Sequence, residues 1–377
     1  MPNFYKIDPF FWDKVKVYQH VSKKFDCLVW CRSADIFDIH QNVLHKFPFI
    51  NAVGLSLEYD DILRLSDEQC VRYISPVKKA NIALNNVRKT VDADTLFLSN
   101  IRGKNVTVAV IDTGCNPHLD LVLGRNRILA FKDFVNNKSQ PYDDNGHGTF
   151  VCGVIAGNGL CSNSKFRGIA PECNLVVLKA LDSNGETQVF TILNAMQWII
   201  DHKEEYSIRV VCMSFGSEPL EQNDPLVVGA ETLWDNGIVV VCASGNDGAT
   251  PNTVKSPAIS PKVLSVGACV DNGKTIEVAD FSSFGIYDNI IRPDLVAPGV
   301  NVTSLNVGLP FYTSMSGTSV ATPIVVGVVG LVLQKVPDIG PNKIKSLVLD
   351  SAQKLDLPRS RAGAGVVNGA NAISFLE

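Results

Sequence analysis

The chain has 377 residues, with 34 Lys and Arg against 38 Asp and Glu for a net charge of −4, and 46% of its residues are hydrophobic. That length suggests two or three units, or one large α/β body with an appendage, and the apolar content excludes a disordered chain. No basic excess exists to neutralise a run of phosphates, so nucleic-acid binding is excluded as the main task.

The N-terminal stretch MPNFYKIDPFFWDKVKVYQH scatters charges among its apolar residues and lacks the unbroken apolar run of a secretory signal, so a cytoplasmic protein is expected. Over residues 1–80, CLVWC, INAVGLSLE and CVRYISP read as short extended pieces, with helical stretches at 34–46 and 59–65, which makes a small α+β unit. Residues 76–100 carry KK, NN and RK pairs without a sustained apolar period, and 81–100 reads as a linker over a surface. The remaining 101–377 form the main body. Its apolar runs VTVAVI, NLVVLKAL, IRVVCMSF, GIVVVCAS and VLSVGACV have the look of strands buried on both faces, and 190–205 and 225–236 carry helical spacing between them. The alternation predicts an α/β fold, a doubly wound and mostly parallel sheet flanked by helices. The most apolar window, Ile324 to Leu333, falls short of the roughly 20 residues that span a bilayer and predicts a buried helix, with no membrane partner.

Ten cysteines could form five bridges of a secreted protein or remain thiols. Cys115, Cys152, Cys212, Cys242 and Cys269 lie in or beside apolar runs, where a free thiol behaves as a small hydrophobe, and reduced cysteines are expected. Cys27 and Cys31 have no second pair or histidine cluster, so no metal is expected there.

Three segments carry chemistry. In VAVIDTG, Asp112 stands at the carboxyl end of a buried strand, where open α/β sheets place their crevice, although an aspartate there also caps turns. In DDNGHGTFVCGVIAG, His147 lies between two glycines at the mouth of a helix and could offer one ring nitrogen to a nucleophile and the other to a carboxylate, or serve structure alone. In SMSGTSVATPIVVGVVGLVL, Ser319 precedes a helix whose first turn is expected to hold Pro323, at the positive end that favours a developing oxyanion. The surroundings are not the G-x-S-x-G elbow of lipases and esterases. A cysteine enzyme built on Cys152 or Cys115 lacks a histidine partner at a readable spacing.

Taken together, and in the order Asp, His, Ser, these segments resemble the subtilisin-like serine proteases, or subtilases, over about Val87 to Glu377. The resemblance implies an intracellular bacterial type of serine endopeptidase acting through an acyl-enzyme, with Asp112, His147 and Ser319 as triad. It implies Asn246 of VVVCASGNDG, in isolation an ordinary turn residue, as oxyanion donor. CMSFGS (212–217) is similar to the edge strand that pairs with extended substrate, and VAPG (296–299) also fits the family. The pocket for the side chain before the scissile bond would be walled by Ser214, Phe215 and Gly216 and by Ala243, Ser244 and Gly245. Lys255 would lie at its base and Asp247 at its rim. A lysine there favours an acidic or amide side chain unless Asp247 neutralises it. Two positions depart from the family: Phe150 and Ile324 stand where histidines are common. The loop 158–166 is shorter than the calcium loop of secreted relatives although Asp120 matches one of that ion's carboxylates, so no cofactor is expected, with calcium the one candidate. Residues 46–76 resemble the family's small ferredoxin-like inhibitory propeptide, which implies a zymogen cut by its own Ser319 with the tail 77–86 in the cleft. A regulatory peptide-binding protein that keeps this unit bound is the alternative.

Overall fold

The computed structural model describes residues 3–19, 22–32, 43–77, 87–248 and 250–376. The chain divides into two compact units, Met1–Ile82 and Ala83–Glu377.

The first unit contains α1 (Pro9–Val15), β1 (Phe25–Cys31), β2 (Val43–Phe47), β3 (Ala52–Leu57), α2 (Tyr59–Asp67) and β4 (Val71–Pro76). Its strands form one antiparallel sheet in the order β2-β3-β1-β4, the split arrangement of ferredoxin-like folds. Burial alternates along β1, so Cys27, Val29 and Cys31 face a core shared with Leu55, Ile62 and Ile74. Glu58 and Asp61 form a capping box that starts α2. The helix expected over 34–46 is not found at its end: Val43 to Lys46 belong to β2, and 34–42 lie outside the described residues. Its pairing with β3 supplies main-chain partners that a local pattern cannot reveal.

The second unit begins with α3 (Val87–Thr90), α4 (Asp94–Leu98), β5 (Thr107–Asp112), α5 (Leu119–Val122), β6 (Ile128–Asp133), α6 (His147–Ala156), β7 (Asn174–Lys179), α7 (Val189–His202) and β8 (Ile208–Met213). It continues with α8 (Pro225–Asp235), β9 (Val239–Ala243), β10 (Leu264–Asp271), β11 (Ile276–Val278), β12 (Gly285–Tyr287), β13 (Ile290–Arg292) and β14 (Leu295–Pro298). It ends with β15 (Val302–Leu305), β16 (Tyr312–Met315), α9 (Thr318–Lys335), α10 (Pro341–Asp350), α11 (Arg359–Ala362) and α12 (Gly369–Ser374). The main sheet runs β11-β10-β9-β8-β5-β7-β6, with β14 also on β10; β11 is antiparallel and the other pairings are parallel. Every residue of β5 and β9 is buried, which is why these strands are continuous apolar runs. From β5 the chain proceeds to β6 and β7 on one side, and from β8 to β9 and β10 on the other. The connections leaving the carboxyl ends of β5 and β8 therefore diverge and open a crevice.

Three expectations change. Residues 87–100 are not a surface linker: Val91 and Ala93 are fully buried, and Leu96 and Phe97 nearly so, in the core of the second unit. Two helices of four and five residues are too short to show an apolar period. The segment CMSFGS is not an edge strand, because its first two residues end β8 inside the sheet. Pro323 is not in the first turn, because α9 already starts at Thr318.

α9 is the helix among the described residues that is long and apolar enough to cross a bilayer, and 83% of it is buried within the unit. It packs on α6 and along β8, β9, β10 and β14. Its glycines are contact points: a Cβ on Gly327 would fall 2.5 Å from Ile169 Cβ, and one on Gly330 2.9 Å from Cys173 Sγ. Overpacking such a junction costs about 1–3 kcal/mol, so Gly327→Val is expected to lower the unfolding midpoint in calorimetry by several degrees. An unchanged midpoint would show that Ile169 yields freely.

Candidate functional site

Asp112 is the last residue of β5 and only 1% exposed. A buried carboxylate is tolerated where donors converge on it, and here Oδ1 accepts from the Thr113 amide at 2.8 Å and lies 2.8 Å from His147 Nδ1. Because an ionised carboxylate can only accept, the ring proton is assigned to Nδ1, and Nε2 carries the free lone pair. A quarter of the imidazole surface remains open to solvent. Burial pulls the His147 pKa down, but the charge and hydrogen bond of Asp112, with the charge of Asp143, outweigh it, so the net shift is upward from 6.5.

His147 opens α6, and that helix reaches the strand end through two bare glycines. A Cβ on Gly148 would fall 2.1 Å from Gly114 O, and one on Gly114, which has φ +116°, would fall 2.1 Å from Tyr142 O. Asp143 fastens the junction. Its carboxylate accepts from the Thr113 hydroxyl and from the amides of Asn145, Gly146 and Thr149, and Thr149 Oγ1 adds a further bond. Burial raises its pKa, but these donors prevail and hold it below the ordinary carboxylate value. Reading the sequence assigned Asp143 no role; its signal was a paired DD just before the histidine.

Ser319 is the second residue of α9 and half-buried. The Val320 and Ala321 amides bond back to Gly317 O, at 3.1 and 3.3 Å, while the Ser319 amide has no acceptor among the described residues. The Gly317 amide is held by Gly299 O of VAPG at 2.8 Å. A Cβ placed on Gly317 would lie 3.0 Å from Ser319 Oγ and 3.4 Å from Asn246 Nδ2, so the hydroxyl and the amide border one small volume that only glycine leaves open. The orientation of Asn246 follows from its partner. Thr318 N donates to the amide atom 2.8 Å away, and a backbone N–H only donates, so that atom is Oδ1 and Nδ2 faces Ser319. Thr318 Oγ1 accepts from the Gly245 amide and lies 3.1 Å from Asn246 Oδ1.

Asp112 and Asn246 thus stand at the same carboxyl edge, at or just beyond the ends of β5 and β9. With β8 between them those strand ends are about 10 Å apart. Beyond β8, Ser214 is buried, Phe215 half-buried and Gly216 exposed, and at Ser217 the main chain pairs both ways with Ser256. Ala243 and Ser244 are buried and Gly245 is half-buried. The Lys255 stem lies against both glycines: a Cβ on Gly216 would fall 2.6 Å from Lys255 Cβ, and one on Gly245 2.8 Å from Lys255 Cγ. Its ammonium pairs with Asp247 Oδ2 at 2.7 Å and with Glu218 Oε1. Two carboxylates on one ammonium leave a net negative charge, so the expected attraction of an acidic side chain is not supported.

Cys115 and Cys152 are fully buried, and the Cys152 thiol is pushed up by its hydrogen bond to Cys115 and by burial, which rules against a thiolate nucleophile. Phe150 and Ile324, where the resemblance would put histidines, are core residues with no exposure. Asp120 does not fit a calcium site. Calcium takes six to eight oxygen ligands, whereas this buried carboxylate already accepts the Cys161 amide at 2.8 Å and the Tyr312 hydroxyl at 2.6 Å. Among the described residues no group of three or more His, Cys, Asp and Glu could hold a metal ion.

The family model "Subtilase family" matches residues 103–367. The chain is 42% identical over 301 residues to serine protease AprX of Bacillus subtilis (strain 168), covering 72% of this chain and 67% of that protein. It is 32% identical over 338 residues to the thermostable alkaline protease of Halalkalibacterium halodurans, covering 88% and 85%. Among solved structures it is similar to Sphericase, with a TM-score of 0.62 and 27% identity over 71% of this chain and 92% of that one. The Asp112–His147 pair at the edge of a parallel sheet and these matches agree: the chain belongs to the subtilase family and is a serine endopeptidase.

Proposed function

We propose that peptide bonds are cut by Ser319, His147 and Asp112, and the observation that carries this reading is the 2.8 Å contact between His147 Nδ1 and a buried Asp112. Ser319 Oγ attacks the scissile carbonyl carbon while its proton passes to His147 Nε2. The oxyanion is met by the Ser319 amide and Asn246 Nδ2, and the imidazolium then protonates the leaving amine. Water, deprotonated by the same Nε2, attacks the acyl-enzyme and returns Ser319. Extended substrate would pair with the open main chain of Ser214 to Gly216.

We also propose that the ferredoxin-like first unit is an inhibitory propeptide, removed by the chain's own Ser319 within residues 78–86, which lie outside the described residues. Among the described residues the ten cysteines form no disulfide, which supports work in a reducing compartment, the cytoplasm. In place of an acidic preference, the Lys255 stem between Gly216 and Gly245 argues for a short, uncharged side chain before the cut.

Three outcomes test these readings. On a denaturing gel the native chain is expected to shorten by about its first unit on standing and to bind a fluorophosphonate, whereas Ser319→Ala stays whole; a native chain that stays whole and unreactive would favour a peptide-binding protein. Protonation removes the base, so kcat/KM is expected to fall as pH drops through a midpoint above 6.5. Asp112→Asn should lower that midpoint and cut the plateau by about 10,000-fold, and a midpoint that does not move would remove His147 as the base. Lys255→Gly is expected to improve kcat/KM for an aromatic residue over alanine before the cut by about tenfold, and peptide libraries showing a strong Glu preference in the native enzyme would overturn the pocket reading.

A further inference from the structure

Lys179 ends β7 directly opposite Asp112 in the parallel register and is wholly buried. An ammonium removed from water is costly unless its protons are all taken up, and replacing buried ions with apolar groups is often neutral or better for stability. Its presence at the catalytic edge therefore calls for a reason beyond stability. All three of its protons have acceptors in reach: Thr113 O at 2.7 Å, Leu181 O at 3.0 Å and Asp144 Oδ1 at 2.6 Å. The Tyr142 ring lies below it, with the centroid 5.1 Å away.

These acceptors sit on the segments that build the catalytic pair. Thr113 follows Asp112, and Asp144 comes three residues before His147. The Leu181 amide itself bonds to Asp112 O at 3.2 Å. One side chain thus ties the end of the carboxylate's strand to the loop that delivers the imidazole. We propose that Lys179, through its ion pair with Asp144, is a positioning residue that holds His147 in register with Asp112. The proposal rests on the reading of His147 as general base.

The ammonium also adds positive charge to the carboxylate-rich region beside that imidazole. Asp112 comes from β5, Asp143 and Asp144 from the loop before α6, Asp182 from the loop after β7, and Asp133 from the end of β6, where it accepts the Tyr142 hydroxyl at 2.9 Å. The thiols facing this region are Cys115, Cys152 and Cys212. Against these carboxylates Lys179 supplies buried positive charge. Its loss makes the site more negative and favours imidazolium, whereas neutralising Asp144 does the reverse.

The test uses Lys179→Met and Asp144→Asn in the full chain, with kcat and KM on a peptide substrate. Imidazole titration of His147 is followed by NMR in a Ser319→Ala background, which needs no turnover. A small displacement of a catalytic group costs up to about 100-fold, so Lys179→Met is expected to lose about 10- to 100-fold in kcat, with KM within about threefold. Asp144→Asn, on a side chain 35% exposed, should lose less. The His147 titration should move up in Lys179→Met and down in Asp144→Asn, each on the order of half a pH unit. A folded Lys179→Met with kcat within about twofold of native and an unmoved titration overturns the proposal. So does a shift in the same direction in both variants. If Lys179→Met fails to fold, Asp144→Asn decides alone, and unchanged kcat with an unmoved titration is then the overturning result. Opposite shifts in a native chain that is itself inert would sink the protease reading and leave the positioning role standing.

Discussion

A carboxylate taken out of water and answered by one imidazole is the interaction on which the rest of this molecule's geometry depends. Asp112, at 1% exposure, has the Thr113 amide and His147 on the same oxygen, the partners that a buried carboxylate requires. Meeting that demand needs a strand that ends at the edge of a parallel sheet and a helix that starts within reach of it. It also needs a junction without side chains, which Gly114 and Gly148 supply. Asp143 then locks loop, strand end and helix together with five accepted hydrogen bonds.

The second half of the site follows from a different economy. α9 is apolar nearly all round because it runs through the core, and in its first turn the Ser319 amide is left without an acceptor among the described residues while the Thr318, Val320 and Ala321 amides are paired. Pro323, one turn further in than a helix start, has no amide to offer Ser319 O, and the helix keeps its place through packing. Thr318 uses its own amide and hydroxyl to aim Asn246, so the proposed oxyanion donor is oriented before any substrate arrives.

Two charged residues show how context decides a role. Asp120 accepts from the Tyr312 hydroxyl and the Cys161 amide, so hydrogen bonds through its carboxylate fasten the 158–166 loop to the β15–β16 hairpin. Lys255 is matched by Asp247 and Glu218, which turns a residue that looked like a charge selector into a filler between two glycines.

Much of the architecture was legible from residues alone. The five apolar runs emerged as β5, β7, β8, β9 and β10 because strands buried on both faces carry their signal locally, within six or so neighbours. Asp112, His147 and Ser319 stood out because each occupies a strand end or helix start, which short-range pattern also marks. What was missed depends on groups distant along the chain. Residues 87–100 looked like a linker until Val91 and Ala93 met the core, β2 looked helical without β3 beside it, and CMSFGS looked like an edge without strands on either side. The partners of Lys255, Asp120 and Lys179 lie up to 192 positions away or across a turn no pattern announces. A sequence records the propensity of a segment to be buried and to bend; which charge neutralises which is decided only when folding brings remote oxygens and protons within 3 Å.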